Sequence, residues 1–142
     1  MEKEFVPYDL ALRLKNLGFD EDCFAYYTSK GELSTHSDEY EVYLINNDKW
    51  ISSACSAPTW QSAFRFFREK YKLFGEILTD CTTYPKFCYS YSRFIGNPDD
   101  LTSEEWGWED IWMKNSMLYK TYEEAQEGCL IKFCEIVELE KE

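Results

Sequence analysis

Three segments of the chain share a short pattern that is typical of the start of a helix. In each segment an aromatic residue is followed three positions later by alanine, and the pairs are Tyr8 and Ala11, Trp60 and Ala63, and Tyr122 and Ala125. The preceding residues suit a helix N-terminus, because Thr59 and Thr121 offer hydroxyls to unpaired amides and Pro7 fits near the first turn. Glu124 completes a capping box with Thr121. The pattern therefore predicts three helices.

The residues after each start give the predicted helices an apolar face. The first helix spans about residues 7 to 17. Gly18 can end it in the left-handed conformation, and Phe19 is the apolar residue that commonly follows such an end. The second begins after Thr59, and its apolar stripe consists of Trp60, Ala63, Phe64, Phe67, Tyr71 and Phe74. The third spans 122 to about 138, with an inner face of Tyr122, Ala125, Cys129, Phe133 and Ile136.

Five stretches between the helices have the composition of β-strands, at 23–28, 41–46, 50–54, 76–80 and 87–94. Residues 29–31 indicate a turn, and 34–39 a loop. The order helix, strands, helix, strands, helix predicts an α+β fold, with three helices packed on a largely antiparallel sheet of about four or five strands in two layers. A chain of 142 residues suits a single domain, 1–142.

Composition argues against a disordered or membrane-spanning chain. The chain is 44% hydrophobic and 18% aromatic, and its longest apolar run is far shorter than the ~20 residues of a membrane span. The charged start, residues 1–4, lacks an apolar signal segment, so we expect a cytoplasmic protein without membrane contact. The cysteines at 23, 55, 81, 88, 129 and 134 lack metal-ligand spacing. We therefore expect six free thiols, no metal and no cofactor.

Three blocks of the sequence carry a resemblance to known proteins: residues 10–21 with 23–27, residues 57–71 and residues 120–125. They resemble the blocks of small uncharacterised proteins that are common in phages and mobile elements of gut bacteria. Together they cover less than half of the chain. That family has no assigned activity, so the resemblance implies a genomic context and no chemistry.

The charge of the chain, −12 overall, is segregated. Residues 59–93 carry six basic and three acidic side chains, whereas residues 94–142 carry four and thirteen. Arg65, Arg68 and Lys72 fall within about 60° on the second helix and form a basic ridge. The ridge either packs against acidic side chains of the third helix or binds phosphate. Because the net charge repels polyanions, we expect no direct nucleic-acid binding.

A second cluster lies in the run 106–112, which holds three tryptophans and two acids. Its candidate binding residues are Trp106, Trp108, Trp112, Glu109 and Asp110. Indole beside carboxylate is the chemistry of cation capture and of protein interfaces. The alternative is that two of the indoles simply cover the sheet.

Signals for catalysis are weak, and we name no catalytic residue. The only histidine, His36, lies in a predicted loop, and no nucleotide, hydrolase or metalloprotease motif is present. The sequence favours a non-catalytic accessory protein that binds a partner, most simply a protein. The alternative is an acidic nucleic-acid mimic that inhibits a host DNA-binding protein. The third hypothesis is a small enzyme that uses paired carboxylates such as Glu104 and Glu105. The oligomeric state is left open.

Overall fold

The structure, a computed structural model, describes residues 2–35, 46–47, 54–80, 86–95, 107–109 and 118–141. Within these ranges it contains the α-helices α1 (Tyr8–Asn16), α2 (Trp60–Tyr71) and α3 (Tyr122–Lys141). The strands are β1 (Ala25–Tyr27), β2 (Leu33–Thr35), β3 (Cys55–Ser56), β4 (Leu73–Asp80), β5 (Lys86–Ile95) and β6 (Gly107–Glu109). All described pairings are antiparallel. The predicted α+β class is confirmed, and the described strands are divided between two sheets, in the orders β2-β1-β3 and β4-β5-β6.

The three helices begin at the aromatic residues of the repeated pattern, as predicted. In each helix the alanine amide donates to the carbonyl of the residue just before the aromatic, at N···O distances of 2.9, 3.0 and 3.3 Å. All three alanines are buried. The hydroxyls of Thr59 and Thr121 accept capping bonds from the amides of Ser62 and Glu124, respectively. The pattern works because alanine is small enough for the first inward position of a packed helix.

The predicted stop of α1 is also confirmed. Gly18 adopts a left-handed conformation with φ of 92°. Its amide donates to the carbonyl of Lys15, and the amide of Phe19 donates to that of Leu14, at 3.0 and 2.9 Å. These two bonds form a Schellman motif, in which Leu14 and Phe19 are both buried.

The first of two compact units comprises Met1–Ala63 and Cys134–Glu142. In its sheet, β1 pairs with β2 through a turn in which Gly31 has φ of 81°. The loop predicted at 34–39 is wrong for Ser34 and Thr35, which pair with β1; residues 36–39 lie outside the described residues. The buried Asn47 supports the sheet, because its amide group donates to Phe19 and accepts from Ser56, each at 2.8 Å.

The second compact unit comprises Phe64–Phe133, so α2 and α3 contribute residues to both units. Strands β4 and β5 pair from Leu73 opposite Arg93 to Asp80 opposite Lys86. The ring of Phe133 lies 5.3 Å from that of Phe67, centroid to centroid. The predicted strands at 76–80 and 87–94 are therefore present. The single-domain prediction stays a prediction.

Two predicted apolar faces need correction. Helix α2 ends at Tyr71 and Phe74 lies in β4, because Lys72 turns the chain with a left-handed φ of 58°. Trp60 and Phe64 are only half-buried, whereas Phe66, off the predicted stripe, is buried. On α3, Tyr122 is 45% exposed instead of facing inward.

Most of the strands predicted at 41–46 and 50–54 lies outside the described residues. No helix among the described residues is both long enough and apolar enough to cross a bilayer.

Candidate functional site

The first unit contains a pocket of about 540 Å³ that combines aromatic rings with acidic residues. It is lined by Glu2, Phe5, Pro7, Tyr8, Tyr27, Gly31, Glu32 and Leu33. These residues come from three places: the chain before α1, strand β1, and the turn into β2. The volume falls within the range of ordinary ligand pockets, roughly 300–1,000 Å³. We call this site the acidic aromatic pocket.

Two tyrosines and a glycine shape the aromatic part of the pocket. The rings of Tyr8 and Tyr27 lie 5.5 Å apart at an interplanar angle of 59°. The turn packs directly on the first ring, since a Cβ built on Gly31 would lie 3.0 Å from Cδ1 of Tyr8. The hydroxyl of Tyr8 donates to the carbonyl of Ser29 in the same turn, at 3.5 Å. Because Gly31 also has a positive φ, this close approach favours glycine.

The segment before α1 is held by backbone bonds near the start of α2. The indole N–H of Trp60 donates to the carbonyl of Lys3 at 2.8 Å. Phe5 forms an isolated bridge with Thr59, and the amide of Val6 donates to the carbonyl of Pro58 at 3.0 Å. These bonds position the 3₁₀ turn Glu2–Glu4, and with it the acidic side of the pocket. The half-buried Trp60 thus serves to anchor the N-terminal segment.

The pocket is electrostatically negative. Glu2 and Glu32 are both exposed, and neither forms an ion pair with any residue that the structure describes. The hydroxyl of Tyr27 donates to the carbonyl of Val6 at 2.6 Å. Burial raises the pKa of Tyr27. The negative charge of Glu2 raises it further, as does that of Cys55 at a pH high enough to ionise the thiol. Tyr27 therefore stays neutral at physiological pH, and the two carboxylates supply the charge of the pocket.

The structure places only part of the predicted tryptophan cluster. Trp106, Asp110 and Trp112 lie outside the described residues. The backbone of Trp108 and Glu109 lies in β6, opposite Phe94 and Arg93 of β5. Strand β6 thus ties the middle of the cluster to the second sheet, and its role in binding stays a prediction.

The three cations of the basic ridge are exposed. Arg65 and Arg68 lie on α2, whereas Lys72 follows its end and donates from Nζ to the carbonyl of Glu69 at 3.0 Å. Among the acidic side chains of α3, Glu138 accepts two hydrogen bonds from Arg13 of α1, at 3.0 and 2.9 Å. Phosphate binding by the ridge stays a prediction.

The five described cysteines, Cys23, Cys55, Cys88, Cys129 and Cys134, are buried free thiols. Burial raises the pKa of Cys23 and Cys134 to about 12 and that of Cys55 to about 11. At neutral pH these thiols are protonated and unreactive. Over the described part of the chain, no three His, Cys, Asp or Glu side chains are placed to hold a metal ion. Cys81 and His36 lie outside the described residues.

Sequence reasoning did not find the acidic aromatic pocket. Its residues span positions 2 to 33 and meet only because the hairpin of β1 and β2 folds back beside the start of α1. The sequence contains one local signal. Tyr8 stands at a predicted helix start and Gly31 in a predicted turn, and a glycine without a side chain lets the turn pack against an aromatic ring. Comparisons with models of protein families, with curated proteins and with solved structures gave no match.

Proposed function

We propose that this protein is a non-catalytic binding protein whose partner is another protein, and that the acidic aromatic pocket contacts that partner. One observation supports the proposal: a single concave site of about 540 Å³ joins aromatic rings to two carboxylates that have no ion pair among the described residues. Protein interfaces concentrate their binding energy at such concave, aromatic positions.

The chemistry of the pocket favours binding over catalysis. The Tyr27 hydroxyl, a candidate acid or base, is bonded to a backbone carbonyl, and its raised pKa keeps it neutral. The thiol of Cys55, whose backbone is paired with Tyr27, is buried, and burial raises its pKa. The same holds for Cys23 in the same unit, so neither supplies a nucleophile at neutral pH. An accessory role in a phage or mobile element is part of the same proposal and rests on the sequence resemblance. A cytoplasmic location is proposed with it.

Replacement of one ring tests the proposal. Wild-type protein, Tyr8→Ala and Tyr122→Ala are immobilised in equal amounts, and the retained proteins from a bacterial lysate are identified and quantified by mass spectrometry. Tyr122 is a matched control, because it is also the first residue of a helix and lies in the other unit. Each variant's melting temperature is measured first to show that it is folded.

We expect a discrete protein to bind the wild type and Tyr122→Ala, and to lose at least about tenfold in retention on Tyr8→Ala. Equal retention by all three proteins would contradict the use of this pocket. Elution by about 0.3 M salt, together with competition by DNA, would instead favour the nucleic-acid mimic.

The tryptophan cluster is a second candidate contact surface on the same protein. If Trp108 or Trp112 anchors the partner in a desolvated site, its replacement by alanine should weaken binding by about 2 kcal/mol or more, with little change in salt dependence. The purified partner and isothermal titration calorimetry measure both quantities. A partner that is indifferent to both substitutions would remove the cluster from the interface.

A further inference from the structure

We infer that the acidic aromatic pocket receives an arginine side chain of the partner protein. This inference rests on the proposed function, because it names the chemistry that the pocket recognises. The geometry that points to it is the placement of Glu2 and Glu32 on the walls of a pocket that also contains the rings of Phe5, Tyr8 and Tyr27.

The charge of the site selects a cation. Both glutamates are exposed, and neither has an ion pair among the residues that the structure describes. Burial is the main reason why the pKa of the Tyr27 hydroxyl is raised, and the nearby charge of Glu2 raises it further. A phosphate or an acidic side chain entering this pocket would meet two like charges. A cation would gain charge-assisted hydrogen bonds from both carboxylates.

The rings select arginine over lysine. A guanidinium is planar and weakly hydrated, so it stacks on aromatic faces while its edge donates to carboxylates. An ammonium is compact and strongly hydrated, and loses more on entering an aromatic site. The half-buried ring of Tyr8 provides the aromatic surface for this contact. The rings of Phe5 and Tyr27 also line the pocket but are buried, so they support the Tyr8 ring instead of stacking on the guanidinium. The hydroxyl of Tyr27 donates its only proton to the carbonyl of Val6, and the two carboxylates are the charged acceptors in the lining.

The pocket is also larger than one guanidinium requires. At about 540 Å³ it has room for the side chain together with part of the peptide that carries it. This size favours an arginine within a protein chain over the free amino acid.

The test uses two small probes on the full-length protein: a short neutral peptide with a central arginine, and the same peptide with citrulline, which has the same shape without the charge. Binding is followed by amide chemical shifts in NMR spectra. We expect the arginine peptide to shift the amides of Tyr8, Gly31 and Leu33 and to bind at least about fivefold more tightly than the citrulline peptide. A lysine peptide should bind more weakly than the arginine peptide.

Two double variants test whether arginine binding depends on the carboxylates of the pocket or only on the net negative charge of the chain. The double variant Glu2→Gln, Glu32→Gln removes the two wall charges. The control, Glu4→Gln, Asp20→Gln, removes two exposed acids of the same unit that do not line the pocket. Arginine binding should fall to the citrulline level in the first and stay within about twofold of wild type in the second. Equal loss in both, equal affinity for both peptides, or shifts confined to other residues would overturn the inference.

The same variants distinguish this inference from the proposed function. Suppose that a partner protein no longer binds Tyr8→Ala but still binds the Glu2→Gln, Glu32→Gln variant. That result would support protein binding by the pocket and overturn arginine recognition. Specific binding of the arginine peptide with no partner sensitive to Tyr8→Ala would support the recognition chemistry and contradict the proposed function.

Discussion

Gly128 lies in the interior of α3, where glycine weakens a helix by about 1 kcal/mol relative to alanine. The structure shows why the position has no side chain. A Cβ at Gly128 would lie 2.7 Å from Cζ of Tyr119, so the tyrosine ring lies against the bare helix backbone. Tyr119 in turn pairs with Phe87 of β5 through backbone bonds of 2.7 and 2.9 Å. The glycine lets the chain entering α3 stay attached to the sheet.

We predict that Gly128→Ala destabilises the protein by about 1–3 kcal/mol, although helix propensity alone favours alanine. The reason is overlap between the new methyl group and the Tyr119 ring. Urea unfolding measures the effect. In a Tyr119→Ala background the sign should reverse, because the overlap is gone and only the helix propensity remains. Stabilisation by Gly128→Ala in the wild-type background would contradict this account.

Lys72 is the one non-glycine residue with a positive φ among those described. The left-handed conformation is unfavourable for a residue with a Cβ, by roughly 1–2 kcal/mol. Its carbonyl accepts a bond from the amide of Phe94 at 2.9 Å, which directs the chain from α2 into β4. The strain is thus compensated by the pairing that begins at this point.

Lys72→Gly should therefore stabilise the protein by about 0.5–1 kcal/mol, because glycine adopts this conformation without steric penalty. Lys72→Ala is the matched control: it keeps the strain and loses the same exposed bond from Nζ to Glu69. Thermal unfolding should rank Lys72→Gly above wild type and Lys72→Ala at or below it. Equal gains from both substitutions would mean that removal of the lysine charge, and not of the strain, is responsible.

At the scale of elements, the packing of α2 is tested by neighbouring residues on opposite sides of the helix. Phe67 is fully buried and its ring contacts Phe133, whereas Arg68 is exposed. We predict that Phe67→Ala lowers the free energy of unfolding by roughly 3–5 kcal/mol and Arg68→Ala by less than about 1 kcal/mol. Urea unfolding of the two variants should show this order, and the reverse order would show that the helix faces the other way.

The elements that could be predicted are those with local signals. The starts of all three helices and the stop of α1 depend on a few consecutive residues, and these residues carry capping chemistry. Strand β5 alternates aromatic with smaller residues, so its period of two is visible in the sequence.

The elements that could not be predicted depend on distant partners. Strand β2 includes Ser34 and Thr35, for which the sequence predicts a loop. Serine has little β preference, and the single β-branched Thr35 is too short a signal for a strand, so the pairing with β1 decides the structure here. Helical periodicity continues in the sequence to Phe74, but the backbone turns at Lys72 and the helix ends before it. The acidic aromatic pocket could not be predicted for the same reason, because its lining residues come from separate segments between Glu2 and Leu33.

At the scale of the whole molecule, the first unit joins segments from both ends of the sequence. Arg13 of α1 and Glu138 of α3, 125 positions apart, form a bidentate pair with distances of 3.0 and 2.9 Å. Their side chains are 31% and 43% exposed, so solvent screens the attraction. The hydrogen bonds from Arg13 nevertheless lower the pKa of Glu138 below its ordinary value of 4.5. This pair makes the stability of the first unit depend on pH.

A lowered carboxyl pKa in the folded state means that the pair contributes stability above about pH 4.5, the value for the unfolded chain, and loses it as the pH falls through the folded-state pKa. We predict a coupling energy of about 0.2–1 kcal/mol at pH 7 from a double-mutant cycle of Arg13→Gln and Glu138→Gln. Because the cycle cancels the titration of all other acids, the coupling should decline towards zero once Glu138 is protonated. Urea unfolding at a series of pH values from 7 downwards measures it. A coupling that stayed constant to the lowest pH at which the protein is folded would show that packing of the two side chains, and not their charges, holds the ends of the chain together.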